Sequence, residues 1–319
     1  MALAGLENLD LKLIIFGGKG GVGKTSCAIA TAKALSENFK TLLISTDPAH
    51  SVSDCLEQQI GFKVVKIEGT SNLSAIEVVA DEALSVFKTA HQKELKKLLE
   101  TSTNLDNDDI DDMLTLTIPG IDEVMSFKTI IDFIEEGEYD KYVVDTAPTG
   151  HALRLISSPK LLDEWIKVAA RMRWKYRFMV TSFSGSYHQD EVDTFLLNLK
   201  KTVKRIENIL KNNTKSEFIP VCIPEAMAIM ETNRLLADLS TSGIVARQII
   251  VNNVMVSEGC DFCIARRASQ TPYLNQISEM FSDFNRVEVP LFAEEVKGHK
   301  ALNRLTSVLF GRNVDADKG

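Results

Sequence analysis

Leu13-Ile-Ile-Phe-Gly-Gly-Lys-Gly-Gly-Val-Gly-Lys-Thr25 decides how the rest of the chain is read. The apolar run from Leu11 to Phe16 breaks off at a glycine cluster, as a buried parallel strand does. Ser26 to Leu35 then follows with small and apolar residues on one side, the pattern of a helix. Between them, Gly18 to Thr25 satisfies G-x-x-x-x-G-K-[ST], and strand–glycine loop–helix is the setting that confirms a P-loop. Gly18, Gly20, Gly21 and Gly23 allow the loop, with Lys19 and Val22, to wrap a phosphate closely. The N–H groups of the helix start, through Ser26, favour an anion. Lys24 can reach the β- and γ-phosphates and the Thr25 hydroxyl can ligate Mg²⁺. ATP and Mg²⁺ are the expected ligands.

Outward from the loop, further strand candidates are Thr41–Asp47, Leu73–Val79, Tyr142–Asp145, Glu217–Ile223, Val245–Val251 and Arg286–Val289, with helical patterns between most of them. Such alternation implies an α/β fold, a doubly wound, mainly parallel sheet of P-loop NTPase type. Two stretches break the rhythm. Residues 82–136 hold helix-like sequence around an acidic loop at Asp106–Asp112, and residues 151–213 also lack a strand pattern. In the second, Val192, Leu196, Leu199, Val203, Ile206 and Leu210 form one apolar helix stripe. Both stretches read as helical insertions that build a second subdomain. Residues 1–81, 137–150 and 214–319 then form the ATPase core.

Composition narrows the function. The 319 residues carry 36 Lys+Arg against 44 Asp+Glu, a net charge of −8, which disfavours a nucleic-acid binder. Hydrophobic residues at 45% and charged residues at 25% exclude collagen, coiled-coil arrays and wholesale disorder. No run approaches the ~18–20 apolar residues of a bilayer span, so the chain is not expected to be transmembrane. No secretory signal is visible. The 5 cysteines are too few and scattered for a disulfide framework, and a reducing cytosol is the expected compartment.

Two aspartate motifs follow apolar strands on the same sheet edge as the P-loop. Asp47-Pro-Ala-His-Ser-Val-Ser-Asp54 supplies carboxylates that can order an attacking water, and Asp145-Thr-Ala-Pro-Thr-Gly-His151 resembles a Walker B aspartate running into a switch loop. Either aspartate alone could serve as a helix cap. Lys19 marks a deviant P-loop, resembling the branch that includes ArsA, MinD and the nitrogenase iron protein. Together with Pro119-Gly-Ile-Asp-Glu123, these segments make the chain resemble the ArsA family of ATPases over Leu13 to about Leu309, and most closely its tail-anchored-protein targeting branch. The resemblance implies that Asp54 polarises water, Asp47 belongs to switch I, and Asp145 lies in the second shell of Mg²⁺. It also implies that Lys19 crosses a dimer interface, Asn252 and Pro290-Leu-Phe292 form the adenine pocket, and Glu225 reaches the partner's nucleotide.

Cys260-Asp-Phe-Cys263 offers two thiolates where structural zinc wants four ligands. A two-fold axis would supply the other pair; a redox CxxC or two structural thiols are the competing readings. The family resemblance favours Zn²⁺ shared across a homodimer. It also implies that apolar residues of the helical subdomain, Met113, Met125, Trp174, Phe178 and Met179, line a client groove. The same residues could be inner faces of amphipathic helices. Arg171 to Phe178 alternates basic and apolar side chains, as a half-buried strand, a helix edge or a groove rim would. The function implied by resemblance is ATP-dependent capture of tail-anchored clients and their delivery to a membrane. Cytoplasmic residence, peripheral contact with the endoplasmic reticulum membrane and a membrane receptor in a eukaryote come with it. The alternatives are an arsenite- or antimonite-stimulated ATPase of an efflux pump and a MinD-type switch.

Overall fold

The computed structural model describes residues 1–312 apart from 48, 50, 103–120, 148–161, 165, 172, 175–177, 179–180, 183–188 and 257–259. Pro119, Met113, His151 and Met179 thus lie outside the described residues. By contacts the chain divides into two compact units: Met1–Val79 with Phe133–Leu153 and Ile209–Gly319, and Ala80–Asp132 with Arg154–Asn208.

The first unit is built on an eight-stranded sheet: β1 (Leu13–Gly17), β2 (Thr41–Ser45), β3 (Val65–Lys66), β4 (Leu73–Glu77), β5 (Lys141–Asp145), β6 (Ser216–Cys222), β7 (Gln248–Val254) and β8 (Asn285–Pro290). Its order is β3-β4-β2-β5-β1-β6-β7-β8, with β3 antiparallel to β4 and every other pairing parallel. The expected doubly wound sheet is present. β1, β2, β4, β5 and β6 are buried along their whole lengths; their middles are mainly apolar, and buried polar residues such as Glu77, Asp145 and Glu217 stand toward their ends. Edge strand β8 instead alternates.

Between β1 and β2 runs α1 (Lys24–Leu35). Ala28, Ala30, Ala32 and Ala34 make it slim, and it is buried against both the sheet and α9 (Gly298–Leu309), where the Thr306 hydroxyl donates to Ala30 O at 3.1 Å. The remaining helices of this unit are α2 (Ser51–Leu56), α7 (Ala226–Ser242) and α8 (Asp261–Met280). β1 lies between β5 and β6, so chain connections leave it to both sides, and a crevice at the strand C-termini is where such a sheet binds its ligand.

The second unit holds α3 (Ala80–Ala90), α4 (Gln92–Ser102), most of α5 (Ile121–Glu136) and of α6 (Glu191–Lys211), and helical residues between 162 and 182. The stripe from Val192 to Leu210 is buried throughout, as its spacing requires. Arg171–Phe178 is not a strand: residues 171, 173, 174 and 178 are helical. Nor is Arg173 a rim residue. It is buried because Asp190 and Asp193 neutralise it, Asp193 at 3.3 Å, while Asp190 also caps α6 by accepting Val192 N–H at 3.0 Å. No described helix is long and apolar enough to cross a membrane.

Candidate active site

The P-loop backbone is set by glycine where the chain needs it. Gly18 has φ 150°, and a Cβ there would lie 2.2 Å from Val221 O. Gly23 has φ 90°, and a Cβ would lie 2.3 Å from the Asn252 amide nitrogen. At Gly23 the α1 N-terminus has no side-chain cap, so its first N–H groups are presented for an anion. The Lys24 ammonium is buried and donates to Lys19 O at 3.2 Å. Burial lowers its pKa, while Asp145 and Asp47 pull it back up. The loop lysine thus faces two carboxylates, and a polyphosphate is the anion its position suits.

Asp145 ends β5 and is fully buried; no well-formed hydrogen bond reaches its carboxylate oxygens, and the Thr25 hydroxyl is at most a weak partner. Burial pushes its pKa up to about 7, against the Thr25 hydroxyl and the Lys24 ammonium, with Asp47 adding to the rise. The Thr25 hydroxyl meets Ser51 Oγ at 3.2 Å. An orphaned carboxylate beside a threonine hydroxyl is an all-oxygen donor set, which fits Mg²⁺ with its retained waters. Asp47 forms a local turn, with Oδ1 accepting Ala49 N–H at 3.1 Å and its own N–H donating to Ser45 Oγ at 3.2 Å. Asp54 projects from the first turn of α2 into solvent.

Asn252 comes to this site from β7: its amide donates to Val22 O at 2.9 Å, so the loop and the β7 end are tied together. Pro290 stands in register with Val254 at the same sheet edge, and Leu291 N–H continues the pairing to Val254 O at 2.9 Å. Glu225 lies three residues past the C-terminal end of β6, the neighbour of β1. It precedes α7 and pairs with Arg266 of α8 at 3.5 Å. Cys260 and Cys263 occupy the start of α8, exposed and half-buried, with sulfurs 3.3 Å apart. Hydrogen bonds from Cys263 lower the Cys260 pKa, whereas the Cys263 thiol is raised. Zn–S bonds of about 2.3 Å in a tetrahedron place two sulfurs about 3.8 Å apart, so a small side-chain adjustment fits the pair to two ligand positions. Among the described residues no group of three or more metal-binding side chains is found. Cys27 is a packed thiol, raised to about 12 by burial and Asp145.

The apolar candidates of the helical unit separate. Trp174 and Phe178 are 66% and 65% exposed and stack with centroids 6.1 Å apart. Met125 is a correction: it is 2% exposed, because α5 turns Val124, Met125, Phe127 and Ile130 inward together. It is core, not a client-facing surface.

The family model described as an anion-transporting ATPase matches residues 11–311. The chain belongs to the ArsA family of ATPases. This ArsA-family chain is an ATPase. It is similar to "ATPase ASNA1 homolog 2" of Paramecium tetraurelia, 37% identical with 95% of each chain covered. It is also similar to "ATPase GET3" of Chaetomium globosum and "ATPase get3" of Neurospora crassa, each 34% identical over 95% of this chain and 92% of theirs. One buried acid near α2 carried no motif signal: Glu77, at the end of β4, accepts from Ser53 N–H at 3.0 Å and from Ser53 Oγ at 3.1 Å.

Proposed function

We propose that the protein is a homodimeric ATPase that captures the transmembrane helix of tail-anchored membrane proteins and delivers it to a membrane as ATP turns over. The observation that carries this reading is an exposed, stacked Trp174–Phe178 pair in the helical unit of an ArsA-family ATPase. A transmembrane helix offers the apolar surface that such a pair would cover. On this reading the protein is cytoplasmic and reaches the endoplasmic reticulum membrane only during delivery.

In the ATPase core, the uncapped α1 N-terminus and Lys24 would hold the phosphates, with Thr25 on Mg²⁺ and Asp145 behind it. Mg²⁺ would supply neutralisation of charge on the transferred phosphoryl group. Asp54 would orient the attacking water, and Asp47 would report the phosphate state to its loop. Asn252 spends its N–H on Val22, which leaves its carbonyl oxygen to accept from an adenine amino group. Lys19 would reach the partner's nucleotide and Glu225 would stand at the same interface, so that ATP favours a closed dimer.

Co-expression with an epitope-marked tail-anchored protein tests the function. The wild type should co-purify with it. Trp174→Asp with Phe178→Asp should lose capture but keep ATPase activity and melting temperature, since exposed substitutions change stability by about 0.5 kcal/mol or less. Unchanged capture in this variant would remove the pair from the client surface. Failure of the wild type to capture, together with antimonite-stimulated ATPase activity, would favour the metalloid reading.

The shared zinc has its own test. Cys260→Ser with Cys263→Ser should abolish binding of about one Zn²⁺ per two chains and shift sizing chromatography to monomer. A zinc-free wild-type dimer, or one zinc per monomer, would overturn the shared site.

A further inference from the structure

Helix α2 carries Asp54; besides a long Ser26 Oγ–Cys55 Sγ contact at 3.9 Å, two hydrogen-bonded ties among the described residues hold it to other elements. One is Ser51 Oγ to Thr25 Oγ1 of the P-loop at 3.2 Å. Thr25 is the hydroxyl that would ligate Mg²⁺, so this tie must rearrange as nucleotide arrives. The other runs through Ser53, the neighbour of Asp54. Its backbone N–H and its hydroxyl both reach Glu77 Oε1, at 3.0 and 3.1 Å. Ser53 Oγ also accepts Ile60 N–H at 3.1 Å, its one proton is shared between Glu77 and Ile60 O at 3.1 Å, and Glu77 N–H donates to Gly61 O at 3.0 Å. Both the start of α2 and the chain leaving it are therefore bound to one strand end. Glu77 is only 2% exposed, at the C-terminal end of β4, whose neighbour β2 leads directly into the Asp47 loop. A carboxylate accepting from N–H and O–H makes stronger bonds than a neutral acceptor would.

We propose that Glu77 is a positioning residue for ATP hydrolysis: acting through Ser53, its carboxylate is the fixed point about which α2 holds Asp54 while the Ser51–Thr25 tie exchanges. This rests on Asp54 being the water-orienting group. Glu77 does not touch substrate. It sets where Asp54 stands, and misplacement of a reacting group by about 1 Å can cost ~100-fold in rate.

The test uses the purified full chain with Mg-ATP. Glu77→Ala should lower kcat by about 10- to 100-fold with KM for ATP and affinity for ADP changed less than about threefold. Glu77→Gln, whose amide oxygen still accepts from Ser53, should recover most of that loss. Equal losses in kcat and nucleotide affinity, or wild-type kcat in a variant that is merely less heat-stable, would overturn the proposal. Where Glu77→Ala does not fold, Ser53→Ala combined with Glu77→Gln decides, because it deletes the hydroxyl bond and leaves the Ser53 backbone N–H only a neutral acceptor: reduced kcat with KM unchanged supports the role and wild-type kcat overturns it. On an Asp54→Asn background, Ser53→Ala should cause no further loss, since both act at one step. An active Asp54→Asn enzyme would sink the reading of Asp54 itself. An inactive Asp54→Asn beside a fully active Ser53→Ala and Glu77→Ala would sink only the role of Glu77.

Discussion

Asp54→Asn is expected to bind ATP as the wild type does and to lose turnover, with kcat falling by about 10²–10⁴-fold, the usual contribution of a positioned proton-accepting group. The residue is exposed in the first turn of α2, and no part of the phosphate cradle is built from it. On the proposed reading the phosphate contacts would come instead from the α1 N-terminus, Lys24 and the loop backbone. Asparagine keeps the size and one acceptor oxygen but gives up the charge that orients and polarises water. Because the side chain faces solvent, the melting temperature should hardly change. Nucleotide affinity by titration and steady-state phosphate release separate the two quantities. Turnover within a few-fold of wild type would move the water-orienting role to another carboxylate, with Asp47 next in line.

The sheet and the phosphate loop were legible because their signals are local. Five strands are buried end to end and carry mainly apolar middles, and the α6 stripe repeats with the helix period. β3 was not legible, since two residues, half-buried Val65 and exposed Lys66, carry no period. The helical unit was legible as helix but not as surface. Periodicity identifies an apolar face without saying what covers it, so Met125 and Trp174 looked alike in sequence although one is core and the other stands in solvent. Arg173 illustrates the same limit: its burial depends on Asp190 and Asp193, up to 20 residues away, and a basic–apolar alternation alone gives no sign of them. Glu77 has no motif because its partner is Ser53, 24 residues earlier and on another element. The chemistry of the site was written in consecutive residues, whereas its mechanical support is tertiary.

Asp145→Asn should separate function from stability in opposite directions. The native carboxyl is fully buried with at most a weak tie to the Thr25 hydroxyl, and burial lifts its pKa from 3.8 to about 7. Between about pH 4 and pH 7 the folded chain therefore holds a proton that the unfolded chain has released. Stability of the nucleotide-free protein must fall as pH rises through that window and stay low above it. A displacement of about 3 pKa units corresponds to at most about 4 kcal/mol. Asparagine removes the charge but still buries an amide donor, costing about 1–3 kcal/mol if unpaired. The net expectation is an apo variant more stable than wild type by about 1–3 kcal/mol at pH 8, with the advantage vanishing or reversing at pH 4.5. ATP turnover should collapse at the same time on the proposed reading, in which the Asp145 carboxylate and the Thr25 hydroxyl would hold Mg²⁺. Mg-ATP should then raise the melting temperature of wild type by more than that of the variant at pH 8. Melting curves at pH 4.5, 6 and 8, with and without Mg-ATP, measure all of this on two proteins. A variant less stable than wild type at pH 8, by a margin independent of pH, would mean that the buried carboxylate has a partner in solution and is not held in reserve for the metal.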